Sequence, residues 1–301
     1  MRILFTDHHA LGDAAENLIA IRDFHDSNPQ HNVCYRGFGE ELFWNVPWID
    51  WTINEFNAEL KVPITMELIH SCSQNGLHVV RCIEHDIEKK TGMKIEPGAL
   101  VLPITFTPRE LDARPDLPER YWVIDAGGKA DFETKHYPHA YFQQIVNQTK
   151  ERINWVQIGL SQHVHKPLEG VINLIDKTRD LRDLLKVIHF SSGVLTPISA
   201  PLHLSAMPMH NSSNPRPCVV LGGGREGVGF TLYPNHHWFS TVGCLDCCRN
   251  KPCWRAKLLT STDSKKPPCA HPVQIDGQWV PKCQAMIPPW LVVHKIWELA
   301  L

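Results

Sequence analysis

Cysteine is the residue type whose distribution most clearly suggests chemistry in this sequence. Six of the ten cysteines lie between residues 244 and 283, in the runs GCLDCCRNKPCW, PPCAHP and VPKCQ. No secretory signal is evident at the start, so such a group indicates a metal site more than a disulfide framework. Four thiolates suit tetrahedral zinc or iron, and with no open position the ion would be structural. The predicted ligands are Cys248, Cys253, Cys269 and Cys283, with Cys247 as a substitute for Cys248; the alternative is a set of reduced, buried cysteines.

A carboxylate near the start of the chain is a candidate general base. Residues 2–6 are typical of a short strand, and the following DHHALGD is the turn that leaves it. Gly12 and Asp13 therefore lie where the first strand is followed by the first helix, at the edge of a cleft. A carboxylate there accepts a proton if its pKa suits the working pH. The alternative is that Asp13 only caps the helix.

A glycine turn in the middle of the chain predicts an anion site. The run YWVIDAGGKADFETKHYP (residues 121–138) indicates a buried strand that ends in Gly127 and Gly128. These glycines are expected to adopt positive φ and to let the backbone approach a ligand. Lys135 follows, just before a helix that Pro138 can open at its first turn. Backbone N–H groups and ammonium groups together bind anions; the alternative is an ordinary connection with solvated lysines.

Two later turns carry polar residues at predicted strand ends. The run TPISAPLH, from Thr196 to His203, joins a strand to a helix whose free N–H groups can hold a diphosphate. Ser199 is expected to cap that helix and His203 to point at the same anion, unless His203 is a core histidine. Arg225 follows three glycines, where it can bind a phosphate or sugar hydroxyl, or form a surface ion pair.

These segments together resemble the glycosyltransferase 9 family, the ADP-heptose lipopolysaccharide heptosyltransferases and their relatives. The resemblance rests on ALGD at the first turn, AGGK with KHYP, the run VINLIDKTRDLRDLLKVIH, and SAPLHLSA. It implies an α/β protein of the GT-B fold, in which two Rossmann-like domains face one cleft. It also implies an ADP-linked sugar donor held mainly by the C-terminal domain, an acceptor held by the N-terminal one, and inversion at the anomeric carbon.

The resemblance further implies roles for individual residues. Asp13 matches the family's proposed base, and Lys135 matches its donor-phosphate lysine. The cysteine segment is similar to the iron-binding cysteines of bacterial autotransporter heptosyltransferases. The cofactors implied are thus a cysteine-held structural iron or zinc, with a nucleotide-diphosphate sugar as donor substrate.

The turn from 196 to 203 departs from the family's pattern. Ser199 and His203 fall on its phosphate-binding D-[ST]-G-x-x-H-L turn, but Ile198 replaces the aspartate and Ala200 the glycine. The donor contacts are therefore expected to differ. The full set of predicted donor-binding residues is Gly12, Gly127, Gly128, Lys135, Thr196, Ser199, Ala200, His203 and Arg225.

Length and composition favour a globular protein with two domains. The chain has 301 residues, 43% hydrophobic and 21% charged, and four prolines and six charges between 103 and 119 favour a linker. We predict a domain over 1–115 and a second over 116–301 that ends in a crossover helix. The net charge of -2 gives no general attraction to DNA or anionic membranes. Without a run of 18 apolar residues, the expected location is the cytoplasm.

The predicted function is inverting transfer of heptose or a similar sugar to a hydroxyl acceptor, with Asp13 as base. The acceptor is open between a glycolipid, a protein, a small molecule and a modified nucleic acid, and a homo-oligomer is compatible with the sequence. One alternative is a non-catalytic binding or assembly module, which the departures at 198 and 200 favour. Another is a metal-stabilised nucleic-acid-binding protein, because basic residues surround the cysteines: Arg249, Lys251, Arg255, Lys257, Lys265 and Lys266.

Overall fold

Two parallel β-sheets organise the chain, which the computed structural model describes at residues 1–65, 72, 74–261 and 267–300. The first sheet has the strand order β2-β1-β3 and comprises β1 (Arg2–Asp7), β2 (Asn32–Gly37) and β3 (Leu60–Pro63). A 3-10 turn over Glu40–Phe43 follows β2. The helices of this half are α1 (Leu11–Ser27), α2 (Val79–Thr91) and α3 (Pro108–Asp112).

The second sheet has six parallel strands in the order β6-β5-β4-β7-β8-β9. They are β4 (Trp122–Asp125), β5 (Trp155–Ile158), β6 (Ile172–Asn173), β7 (Gly193–Pro197), β8 (Cys218–Gly223) and β9 (His236–Ser240). The helices of this half are α4 (His139–Thr149), α5 (Leu181–His189), α6 (Ala200–Leu204), α7 (Lys282–Ala285) and α8 (Pro289–Ala300). An antiparallel hairpin pairs β10 (Pro272–Ile275) with β11 (Gln278–Pro281).

The predicted α/β architecture is confirmed, and its physical basis lies in the central strands. Every residue of β4, β5, β7 and β8 is buried. A parallel sheet is covered by helices on both faces, so its strands are near-continuous apolar runs such as WVID and WVQI. The strand ends, where backbone leaves the sheet, are then the positions at which polar side chains converge.

The two halves of the chain contact each other through side-chain hydrogen bonds and through apolar packing. Arg182 of α5 donates to Glu110 Oε1 at 2.7 Å and to the carbonyl oxygen of Thr105 at 2.7 Å. A single buried apolar cluster runs from the first sheet to α5 and α6. The domain boundary at 115 stays a prediction, because this cluster is continuous across it.

The terminal helix α8 packs on α4 and β8 of the second half through Val292, Val293 and Ile296. Its crossing back to the first domain therefore stays a prediction. None of the helices in the described ranges combines the length and the apolar character that crossing a lipid bilayer requires.

Candidate functional site

Asp13 lies in the first turn of α1, beyond the carboxyl end of β1. Its Oδ2 accepts a hydrogen bond from the backbone N–H of Ala10, the N-cap residue, at 2.8 Å. Burial raises the pKa of Asp13, while this hydrogen bond and the charge of Lys135 lower it. Asp13 thus does cap the helix, and it also lies within electrostatic reach of a cation from the other half.

Lys135 comes from the second half and lies within electrostatic reach of Asp13, and we call the region around these two side chains the hollow. It ends the 3-10 segment Ala130–Lys135, and its Nζ is 2.9 Å from Glu226 Oε1. Its side chain is 22% exposed. Burial lowers the pKa of Lys135 well below its usual value, and Arg225 adds to this effect, whereas Asp13 opposes it. The interpretation as a solvated lysine therefore does not hold for Lys135.

His203, in α6, is held by groups from both halves. Its Nδ1 is 3.0 Å from the hydroxyl of Tyr233 and 3.2 Å from Oε1 of Glu16. The other edge of the ring faces the first turn, since a Cβ added to Gly12 would lie 2.8 Å from Cδ2 and 3.2 Å from Nε2. Glycine at position 12 thus permits the close approach of the two halves. Burial lowers the pKa of His203 well below its usual value, and Lys135 lowers it further.

Glu16 is a residue that the sequence interpretation missed. It lies one helical turn after Asp13, on the same face of α1, and it is buried. Burial raises the pKa of Glu16 well above its usual value, the charge of Asp13 raises it further, and Lys135 lowers it. Spacing of three residues on a helix was the signal that could have identified it, together with the rarity of a buried glutamate.

Arg225 and Glu226 form a buried ion pair behind Lys135. The guanidinium of Arg225 lies over the rings of Phe132 and Trp254, at 5.1 and 4.9 Å from their centroids. This arrangement differs from both expectations for Arg225. Its ion pair is buried instead of lying at the surface, and its guanidinium is already paired instead of being free to bind a phosphate. Lys135 and Arg225 share the one carboxylate of Glu226.

The turn after β7 is organised differently from its prediction. Ser199 occupies the N-cap position of α6, but its hydroxyl makes no cap hydrogen bond and instead donates to Asp125 Oδ2 at 2.5 Å. Thr196 is fully buried and is 2.8 Å from the Ser199 hydroxyl. Capping by Ser199 was therefore a wrong prediction, because the buried Asp125 carboxylate competes for its hydroxyl. Ala200 is the first residue of α6 and is half-buried.

The glycine turn after β4 also differs from its prediction. Gly127 and Gly128 are not among the residues with positive φ. A Cβ at Gly127 would overlap the Val164 carbonyl oxygen, and one at Gly128 would lie 3.1 Å from His136 Cδ2. Gly127 is needed for close packing against the 159–165 loop and Gly128 for close packing against His136, and neither has a positive φ. The helix after them begins at His139, with Pro138 at the N-cap.

Five of the six cysteines of the C-terminal segment line one small cavity of about 10 Å³, which matches a single small ion. Burial raises the pKa of Cys283 to about 12 and that of Cys247 to about 11. Soft thiols that line one cavity fit either a thiolate-bound metal, which would offset the cost of ionising them, or the reduced, buried cysteines of the alternative. The lining cysteines are Cys247, Cys248, Cys253, Cys269 and Cys283.

A group of possible metal ligands that are not all cysteines lies at the edge of this cavity. Among the described residues, the ligand atoms found within 4.8 Å of one another belong to Asp246, Cys247 and His271. This group differs from the predicted four-cysteine set, which stays a prediction. Outside the segment, Cys72 and Cys82 form a disulfide that the sequence did not predict.

Of the basic residues near the cysteines that the structure describes, two bind backbone carbonyl groups. Arg255 donates to the carbonyl oxygen of Pro268, and Lys257 donates to that of Ala130 at 2.8 Å. Arg249 and Lys251 are exposed, whereas Lys265 and Lys266 lie outside the described residues.

The segment after Cys253 connects the cysteine cavity to the charged hollow. The Cys253 N–H donates to the Gly224 carbonyl oxygen at 3.2 Å, and the Thr134 N–H donates to that of Ala256 at 3.2 Å. Arg225 Nε donates to the Arg255 carbonyl oxygen at 2.9 Å. One stretch of chain thus supports the neighbours of both Lys135 and Glu226.

Comparison with known proteins gives matches among solved structures. No protein-family profile and no curated protein sequence matches the chain. The glycosyl transferase family 9 structure from Veillonella parvula has a TM-score of 0.66 at 13% identity, covering 99% of this chain and 97% of that one. E. coli ADP-heptose LPS heptosyltransferase II has a TM-score of 0.60 at 15% identity, covering 100% and 98%.

The chain has the GT-B fold. The iron-containing dodecameric heptosyltransferase TibC of E. coli, solved with ADP-D-beta-D-heptose, also matches, with a TM-score of 0.65 at 13% identity over 99% of this chain and 75% of that one. The family resemblance is thereby confirmed at the level of the fold. In GT-B terms, Asp13 comes from the first Rossmann-like half, and Lys135 and His203 come from the second.

Proposed function

We propose that the protein is an inverting glycosyltransferase that moves a sugar from a nucleotide-diphosphate donor to a hydroxyl acceptor. One observation carries the proposal: Asp13, a buried carboxylate of the first half, lies within electrostatic reach of Lys135 of the second half, and His203 of the second half packs against the adjacent Gly12. A base and a stabiliser of leaving-group charge, on opposite sides of a reacting carbon, suffice for single displacement.

Each residue then has a defined task. Asp13 takes the proton of the acceptor hydroxyl while the hydroxyl oxygen bonds to the anomeric carbon. The bond from that carbon to the diphosphate oxygen breaks, and its electron pair leaves with the diphosphate. Lys135 and His203 stabilise the charge that develops there. The solved neighbours include enzymes named for ADP-heptose, which favours an ADP-linked donor.

The metal belongs to the same proposal. Cysteine thiolates around the cavity would hold iron or zinc, and the ion would cross-link the loop after β9 to the segments that contain Cys269 and Cys283. TibC is named as iron-containing, which supports iron. The ion would act on structure alone. The acceptor, the oligomeric state and the cytoplasmic location remain predictions from the sequence.

Asp13→Asn tests the function. Transfer and slow donor hydrolysis are expected to fall by roughly 10²- to 10⁴-fold, because the amide cannot accept the proton. ADP binding, followed by thermal shift, is expected to persist. Asp131→Asn, an exposed change nearby, is the matched control. Equal turnover in wild type and Asp13→Asn, with ADP bound by both, contradicts the role of Asp13.

A non-catalytic binding module is the second candidate function. The observation in its favour is that Glu226 already neutralises Lys135, so the hollow carries less positive charge than two cations imply. A module of this kind binds ADP-sugars without hydrolysing them. Donor turnover by the wild-type protein eliminates it.

A further inference from the structure

We propose that Asp246, Cys247 and His271 form a second metal site, which takes Zn²⁺ and is separate from the ion of the four-cysteine set. The inference goes beyond the proposed function, because sugar transfer does not use this site and the structural ion does not include this ligand set. It also gives Cys247, which the sequence offered only as a substitute for Cys248, an ion of its own.

The possible ligand atoms of the three side chains lie close together. A carboxylate oxygen of Asp246, the Sγ of Cys247 and a ring nitrogen of His271 are within 4.8 Å of one another. Zinc binds sulfur at about 2.3 Å and nitrogen or oxygen at about 2.0–2.2 Å, so two ligands of one ion are at most about 4.5 Å apart. Small side-chain rotations therefore suffice to bring all three atoms to one ion.

The three donor types suit zinc in charge and in chemistry. One thiolate and one carboxylate balance the two positive charges of Zn²⁺, and imidazole is a ligand that zinc prefers. On binding, the Cys247 thiol loses its proton to solvent, and a sulfur electron pair forms the bond to zinc. Nε2 of His271, which contacts Oδ1 of Asp246, binds as the unprotonated nitrogen and leaves the ring proton on Nδ1.

Cys247 and Cys248 are adjacent and line the same cavity, but their side chains have different surroundings. Cys248 is buried, and its Sγ and the Cβ of Cys283 lie 2.8 and 3.3 Å from the position of a Cβ added to Gly224. Cys247 is only partly buried and lies with the other two proposed ligands. Successive residues of a 3-10 turn point in different directions, which allows these two cysteines to serve two ions.

Backbone hydrogen bonds hold the two segments that supply the ligands, and one side of the site is open to solvent. The Cys248 N–H donates to the Leu245 carbonyl oxygen at 3.1 Å, and the Lys282 N–H donates to that of His271 at 2.8 Å. The side chains of Asp246 and His271 are 67% and 33% exposed, so water or an added ligand can take a fourth position on the ion. The ion would link the loop after β9 to the start of the β10–β11 hairpin.

Cobalt(II) is a suitable probe, because it occupies zinc sites and absorbs light when a thiolate binds it. The purified protein, with any metal that it already carries, is equilibrated with Co²⁺ and gel-filtered. Elemental analysis then counts the iron, zinc and cobalt bound per chain, and the absorption spectrum shows whether thiolate binds the cobalt. We expect two equivalents of metal in the wild type, with Zn²⁺ displacing cobalt from the second.

His271→Asn is expected to lose one of the two equivalents and the thiolate absorption that accompanies it. The affinity for that equivalent should fall at least about tenfold, since loss of even an outer-shell partner of a metal costs about 10- to 100-fold. Asp246→Asn should show the same loss, and circular dichroism checks that both variants fold. His294→Asn is the matched control, because it removes an exposed histidine that lies 3.0 Å from the Glu298 carboxylate, and it should follow the wild type.

Three results would overturn the inference. Equal metal content and equal spectra in wild type and His271→Asn would mean that Asp246 and His271 form an ion pair only. Loss of all bound metal in His271→Asn, or a single equivalent in the wild type, would mean that there are not two separate ions. Loss of one equivalent without a change in thiolate absorption would exclude Cys247 as a ligand. These measurements do not depend on sugar transfer, so the proposed function stands or falls separately.

Discussion

The charged hollow and the cysteine cavity differ in the polar groups that they bury: the hollow contains groups of opposite charge, and the cavity contains groups of one type. In the hollow, Asp13 and Glu16 come from the first half and Lys135 and His203 from the second, and burial together with neighbouring charges shifts the pKa of each. In the cavity, the cysteines come from one segment and its hairpin and share one chemical preference. The hollow depends on the approach of two sheets, whereas the cavity, in the proposed function, depends on an ion.

This difference indicates which property a single substitution should change in each region. Opposite charges in the hollow compensate one another, so a single change there alters affinity or pH dependence. Like thiolates repel without a cation, so loss of one ligand in the cavity affects folding of the whole segment. The predictions below test this contrast.

Cys283→Ser is expected to have the largest effect on stability. Loss of one thiolate weakens metal binding, and we expect the free energy of unfolding to fall by roughly 3 kcal/mol or more. Thermal unfolding with metal analysis of the purified protein measures both. Cys244→Ser, an exposed cysteine of the same segment, is expected to change neither. Equal stability of the two variants would refute the ion-dependent cavity.

Lys135→Met is expected to weaken ADP binding by roughly 10- to 100-fold with little loss of stability, since a charged hydrogen bond contributes about 1.5–3 kcal/mol. Calorimetric titration gives the affinity. Lys129→Met removes an exposed lysine six residues earlier and serves as control. A comparable loss in the control would mean that general charge, not the hollow, attracts the nucleotide.

Lowering the pH is expected to reduce the stability of the folded protein, because histidines near the hollow are buried and resist protonation. Burial lowers the pKa of His236 to about 3, and that of His78 to about 3. Because the unfolded pKa is about 6.5, the unfolded state binds more protons below it, and stability falls as pH decreases from 6.5.

His236→Asn tests this pH dependence. Urea unfolding at pH 7 and pH 5 is expected to show a smaller difference in the variant than in the wild type, by up to about 2 kcal/mol. The exposed His294→Asn should leave the difference unchanged. An unaltered difference in His236→Asn would locate the acid sensitivity elsewhere.

Glu226→Gln is expected to have the smallest effect, and its sign is informative. Removing the carboxylate that Lys135 and Arg225 share increases the positive charge of the hollow, so ADP affinity should rise by roughly threefold to tenfold. Thermal stability should fall, because Arg225 loses its buried partner. Glu169→Gln, an exposed substitution, is the control. Weaker ADP binding in Glu226→Gln would mean that the carboxylate holds Lys135 in place.

The architecture could be predicted from sequence patterns because local periodicity and composition encode it. The all-buried strands WVID and WVQI and the polar residues after them predicted a parallel α/β sheet with its polar groups at the strand ends. The cysteine-rich segment was evident for the same reason, since its cysteines are close in sequence. Asp13, Lys135 and His203 were identified by motif resemblance and strand-end position.

What the tertiary structure alone decided is the set of partners each polar group receives. Ser199 bonds Asp125 instead of capping a helix, Lys135 meets Glu226, and Glu16 meets His203 from the opposite half. Such pairings depend on which segments approach within about 3 Å after folding, and residue type and spacing do not encode that distance. Burial then sets which of these groups holds a proton, because desolvation is a property of the packed molecule.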